Sequence, residues 1–125
     1  MAAGKHTYLR THRLAGRVIV FDTATEEAKV LQQSAATKTG RAAKTLVKEG
    51  QLRITLIGLR EGSVLGAHQV EGELSIHVLR GALEVRTADR EFRVGKGAIA
   101  VMHSGVRHDA RALRDTVVLL TTSMR

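Results

Sequence analysis

A chain of 125 residues with no cysteine fits one ordinary domain and excludes disulfides, iron–sulfur clusters, thiolate zinc sites and a cysteine nucleophile. Its net charge of +8, from 20 Lys+Arg against 12 Asp+Glu, favours anionic partners, yet aromatic residues make up only 2 % of it, so the stacking platforms of a single-strand nucleic-acid reader are missing. No apolar run approaches the ~20 residues of a membrane helix, and the expectation is a cytoplasmic protein with neither a membrane nor a nucleic-acid partner. A basic nucleic-acid accessory protein is the weaker alternative, and its DNA binding would fall steeply with added salt.

Residues 1–16 are polar and basic and are expected to form a flexible tail ahead of one domain over 17–125. They carry basic residues with no apolar stretch after them, so they do not read as a signal peptide. Arg17 to Phe21 is a short β-rich run. Thr23-Ala24-Thr25-Glu26 has the spacing of a capping box, with Thr23 as cap and Glu26 reaching back. Ala24, Ala28, Leu31 and Ala35 follow at helical spacing, which predicts an amphipathic helix over 23–36 with a narrow face of small residues. That face suits a sheet or a partner subunit. Gly40 ends the region.

From there the hydrophobic period is two. Ala42 to Val47 predicts a strand and Lys48-Glu49-Gly50 a turn. Leu52, Ile54 and Leu56 alternate with Arg53 and Thr55. Leu74, Ile76 and Val78 alternate with Ser75 and His77. Further strands are expected around Leu83 and Val85, Phe92 and Val94, Ile99 and Val101, and His108, Ala110 and Ala112. Val117 to Leu120 is apolar on both faces. Short, closely spaced strands broken by glycine or aspartate indicate an all-β antiparallel sandwich or barrel.

Glycines and histidines recur at fixed offsets. Gly62 precedes His68 by five intervening residues, and Gly81 closes the next hairpin. Gly97 precedes His103 by the same interval, with Gly105 and His108 following. Each glycine permits a tight turn. His68 and His108 are each expected to start an inward-facing strand, so that the two imidazoles converge inside a closed barrel. The same faces make His68, Val70, Leu74, Ile76, Val101, His108 and Ala110 the expected pocket lining. Alternation turns His77 and Asp109 outward. Arg107 is expected as a rim charge. His6 and His12 in the basic tail carry no site argument. No nucleophile elbow, phosphate loop or pair of carboxylates on neighbouring strands is evident.

This pattern resembles the cupin superfamily, whose first motif is G-x5-H-x-H-x3,4-E-x6-G and whose second is G-x5-P-x-G-x2-H-x3-N. The first maps onto Gly62, His68, Val70, Leu74 and Gly81, and the second onto Gly97, His103, Gly105, His108 and Ala112. The resemblance covers about Leu52 to Leu120, and Val18 to Val47 looks like the lead-in of small uncharacterised bacterial cupins. It implies a double-stranded antiparallel β-barrel, or jelly roll, with one N-terminal α-helix. It also implies a metal held by two histidines and a glutamate of the first motif and one histidine of the second. Only His68 and His108 stand at those positions. Val70 replaces the second histidine, Leu74 the glutamate, His103 the proline and Ala112 the asparagine.

Two imidazoles hold a divalent ion loosely, since catalytic zinc sites have three protein ligands and non-haem iron sites two His and a carboxylate. If Zn, Ni, Mn or Fe is bound, His68 and His108 would be its ligands. A third would come from His103 at the rim, or from Glu71 or Glu73. The function expected is a non-enzymatic protein that binds a small molecule in the barrel, at an eroded metal site. The alternative is a metal-dependent oxygenase or isomerase using His68, His108 and a third ligand. A homodimer is expected from the apolar last strand and the small-residue face of the helix.

Overall fold

The computed structural model describes residues 18–68 and 71–124, except for the side chains of Ala67 and His68. The basic tail, with His6 and His12, lies outside the described residues, as do Arg17 and Val70. Within them, one helix, α1 (Thr23–Ala35), precedes nine strands: β1 (Arg41–Glu49), β2 (Leu52–Leu59), β3 (Val64–His68), β4 (Gly72–Arg80), β5 (Ala82–Thr87), β6 (Glu91–Gly95), β7 (Ile99–Met102), β8 (His108–Ala112) and β9 (Thr116–Met124). All strand pairs are antiparallel. They form a five-stranded sheet, β1-β2-β9-β4-β7, and a four-stranded sheet, β3-β8-β5-β6. The result is a jelly-roll sandwich. Among the described residues no hydrogen-bonded ladder joins the two sheets, so the closed barrel expected from the sequence is instead an open one.

Residues directly opposite in an antiparallel pair share a face, so the register sorts the side chains. On the inner face of the larger sheet lie Ile57, Leu59, Leu74, Ile76, Val78, Met102 and Val118. They pack against Leu83, Val85, Val94, Ala110 and Ala112 of the smaller sheet, and all are buried. The outer face of the larger sheet carries a second core of Leu46, Val47, Leu56 and Val117 under Val30 of α1. Strand β9 is therefore covered on both sides, which is why Val117 to Leu120 is apolar throughout. Val117 and Val118 are fully buried. The last strand is not an exposed apolar surface, so it no longer supports a homodimer. Among the described residues, the large exposed apolar side chains sit on edge strand β7 (Ile99 and Val101), on the lead-in (Val18 and Val20), and singly at Leu52 of β2 and Val64 of β3.

Three local expectations are corrected. The run before the helix forms no strand over residues 18–22, and Phe21 packs on the helix-side core. The helix cap is Asp22 rather than Thr23. Its carboxylate accepts from the Ala24 amide and from the Thr25 hydroxyl, the usual service of a cap to the unpaired first turn. The buried helix face is Glu26, Glu27, Val30 and Ser34, whereas Ala24, Ala28 and Ala35 face solvent. Glu26 reaches across to Lys44 of β1 at 2.6 Å rather than back to a cap. Glu27 meets Arg80 of β4 at 2.7 Å. Ser34 is fully buried and donates to the Leu31 carbonyl. Paired glutamates, not alanines, thus dock the helix.

The outer face of the smaller sheet is a charge lattice. Glu84 stands opposite Arg111 and Arg86 opposite Asp109, and both pairs form ion pairs. Hydrogen bonding to Asp109, followed by its charge, raises the Arg86 pKa. This solvated face leaves the interior to His108, Ala110 and Ala112.

Turn chemistry fits the glycine frame. Gly62, Gly81, Gly97 and Gly105 all have positive φ. Gly81 is the most constrained, because a Cβ there would collide with the Asp115 carbonyl and with Thr116.

Candidate functional site

His108 opens β8 and is 5 % exposed. The antiparallel register sets the backbone of His68 directly opposite it. His68 ends β3 rather than starting a strand, and a register shift between Leu65 and His68 bends the chain there. The His108 Nδ1 lies 3.2 Å from the Val106 carbonyl. A carbonyl only accepts, so Nδ1 carries the proton, and in the neutral ring the lone pair belongs to Nε2.

His108 stands between two spaces. Outside it, Arg86, Thr87, Ala88, Arg107 and Asp109 frame a shallow groove of about 320 Å³ at the rim. Inside, a cavity of about 220 Å³ opens between the sheets. Arg53 and Thr55 of β2, Leu74 of β4, and Leu120, Thr122 and Met124 of β9 line it, with His108 as the contribution of the smaller sheet.

The register orders this wall. Thr122 lies directly opposite Arg53 on one side and Leu74 on the other, so the three form one row across the inner face. Thr55 is paired with Leu120 in the next inward row. The Arg53 Nε and the Thr122 Oγ1 are buried and have no hydrogen-bond partner among the described residues.

Of the pocket residues expected from the sequence, Leu74 and His108 line this cavity. Ile76 and Ala110 lie in the adjoining core. Val101 is 68 % exposed and faces a separate groove of about 460 Å³ beside β6 and β7. His103 lines that same groove and is exposed. Val70 and the His68 side chain lie outside the described residues.

Arg53 and Thr122 are not among the residues expected from the sequence to line the pocket. Alternation along β2 groups Leu52, Ile54 and Leu56 on one apolar face, with Arg53 on the other. In the structure that apolar face points to the helix, and the Arg53 face lines the cavity.

The positions of the metal set implied by the cupin motifs hold few donors. Leu74, at the glutamate position, presents an apolar side chain to the cavity. Glu71 is exposed. Glu73 stands opposite Ser123, on the face away from Leu74. His77 lies on that outer face, opposite Leu119 and Ile99. Among the described residues, no group of three or more His, Asp or Glu is placed to hold an ion. The described donors therefore do not fit the motif's metal.

No family model matches the sequence, and no curated protein matches it. Solved structures do. A conserved protein of unknown function from Streptococcus pyogenes is 24 % identical over 88 % of this chain and 90 % of its own, with a TM-score of 0.68. KdgF from Halomonas sp. is 26 % identical over 71 % of this chain and 84 % of its own, at 0.62. A cupin superfamily protein from Desulfitobacterium hafniense is 13 % identical over 72 % of this chain and 83 % of its own, at 0.68. With the jelly-roll topology and the paired glycine–histidine frame, these likenesses lead to one conclusion: the chain has the fold of cupin superfamily proteins.

Proposed function

We propose that the protein binds a small organic molecule in the inter-sheet cavity, at a cupin site that has lost most of its metal ligands. The observation that carries this reading is the cavity itself. It is a concave space with apolar walls and a few convergent polar groups, the usual make-up of a ligand pocket, and Leu74 stands where the motif would place a carboxylate. Leu120→Phe, which adds a ring to a half-buried cavity wall, tests it. Small organic fragments should raise the melting temperature of the parent protein, by about 2.7 kcal/mol of stability at a hundredfold excess over Kd. They should leave folded Leu120→Phe unshifted. Equal shifts in both proteins, or none in the parent, would contradict the proposal.

One observation favours the alternative, a metal-dependent oxygenase or isomerase. The backbones of His68 and His108 are register partners, and the Val106 carbonyl lies 3.2 Å from the His108 Nδ1, so that Nε2 would be the nitrogen to coordinate, an arrangement that second-shell partners give metal-ligating histidines. That reading needs a third ligand from elsewhere, with His103 or Glu71 as candidates, and Zn, Ni, Mn or Fe as the ion.

A further inference from the structure

We infer that the cavity takes a small carboxylate, seated on Arg53 and Thr122 against an apolar wall. This deepens the reading of the cavity as an organic-ligand site and rests on it. Arg53 Nε and Thr122 Oγ1 are the two buried side-chain polar atoms without a partner among the described residues. They belong to residues that face each other across β2 and β9, and both residues line the same cavity.

Four cations of the sandwich have acids to meet: Lys44 has Glu26, Arg80 has Glu27, Arg86 has Asp109 and Arg111 has Glu84. No described acid pairs with Arg53. A buried donor stripped of water costs free energy until something accepts from it. A guanidinium can only donate, and a threonine hydroxyl can donate as well. The pair therefore calls for an acceptor. Two acceptor oxygens and one negative charge suit it best, because charge-assisted hydrogen bonds are the strong ones.

The rest of the wall sets the body of the ligand. Leu74, Leu120 and Met124 are apolar. A volume of about 220 Å³ lies below the ~300–1,000 Å³ of pockets for drug-sized ligands. The occupant is thus a short aliphatic or single-ring acid. Phosphate would bring more oxygens and more charge than two donors and an apolar wall can satisfy.

Calorimetric titration of benzoate, benzamide and inorganic phosphate into the full chain tests the assignment. Benzoate should bind about tenfold or more tightly than benzamide, and Arg53→Met should weaken benzoate by a similar factor. Thr122→Val, which keeps the side-chain shape, should also weaken it and carries the test should Arg53→Met fail to fold. Benzamide binding as tightly as benzoate, with both variants neutral, would overturn the carboxylate assignment and leave a neutral-ligand cavity. Phosphate binding more tightly than benzoate would also overturn it. If neither benzoate nor benzamide binds the parent protein, the assignment falls. Whether the cavity reading falls with it is then decided by the fragment shifts that Leu120→Phe should abolish.

Discussion

Thr122 holds a hydroxyl in a place where no described residue accepts its proton, at 9 % exposure. In the ligand-free protein that is a cost, since an unsatisfied buried hydroxyl destabilises by about 1–3 kcal/mol. Thr122→Val replaces it by a methyl of nearly the same shape. Urea denaturation of the ligand-free variant should therefore show a gain of about 1 kcal/mol, opposite in direction to its effect on benzoate binding. A loss of stability would mean that the hydroxyl is satisfied after all. Neither Thr122 nor Arg53 was legible as a cavity residue. Leu52, Ile54 and Leu56 made the more hydrophobic face of β2, and a two-layer sandwich would have turned that face inward. The helix changes the rule by giving β2 a second buried side. His108 was legible because its offset from Gly97 and Gly105 placed it at the head of an inward strand, where it now stands.

At the scale of the element, α1 shows how a helix can be legible while its face is not. Its span, Thr23–Ala35, agrees with the sequence reading to within a residue at its end. The apolar template then counted alanines, although the docking side carries Glu26 and Glu27. A glutamate is buried when a cation waits for it, and that cation lies far away in sequence, on β1 or β4. Glu26 is 2 % exposed and Lys44 about a quarter exposed. Lys44→Met would strand a buried carboxylate, and chemical denaturation should show a loss of about 3 kcal/mol, the lower end for a broken buried pair. The double change Glu26→Leu with Lys44→Met should recover most of that, because a well-packed apolar pair replaces a buried ion pair at little cost. A double variant no more stable than the single one would show that the ion pair specifies the docking. Close approach matters as well. Gly58 lies under the Val30 carbonyl, 2.6 Å from where a Cβ would stand, so this glycine of β2 lets α1 settle onto the sheet.

At the scale of the molecule, the jelly roll could be read from two signals: the period-two alternation from Ala42 onward, and the glycines that turn the chain at positive φ. The closure of the barrel could not. Alternation says which residues share a face, but not whether edge strands such as β6 and β7 hydrogen-bond across the gap, and here they do not. The central claim is that this frame has exchanged an ion for an organic ligand. The most direct measurement is the metal content of the full chain purified without a histidine tag, compared with His68→Ala and His108→Ala. The account predicts far less than one ion per chain, and a melting temperature that chelation leaves unchanged. Zn, Ni, Mn or Fe near one per chain in the parent protein, lost in both variants, would contradict it.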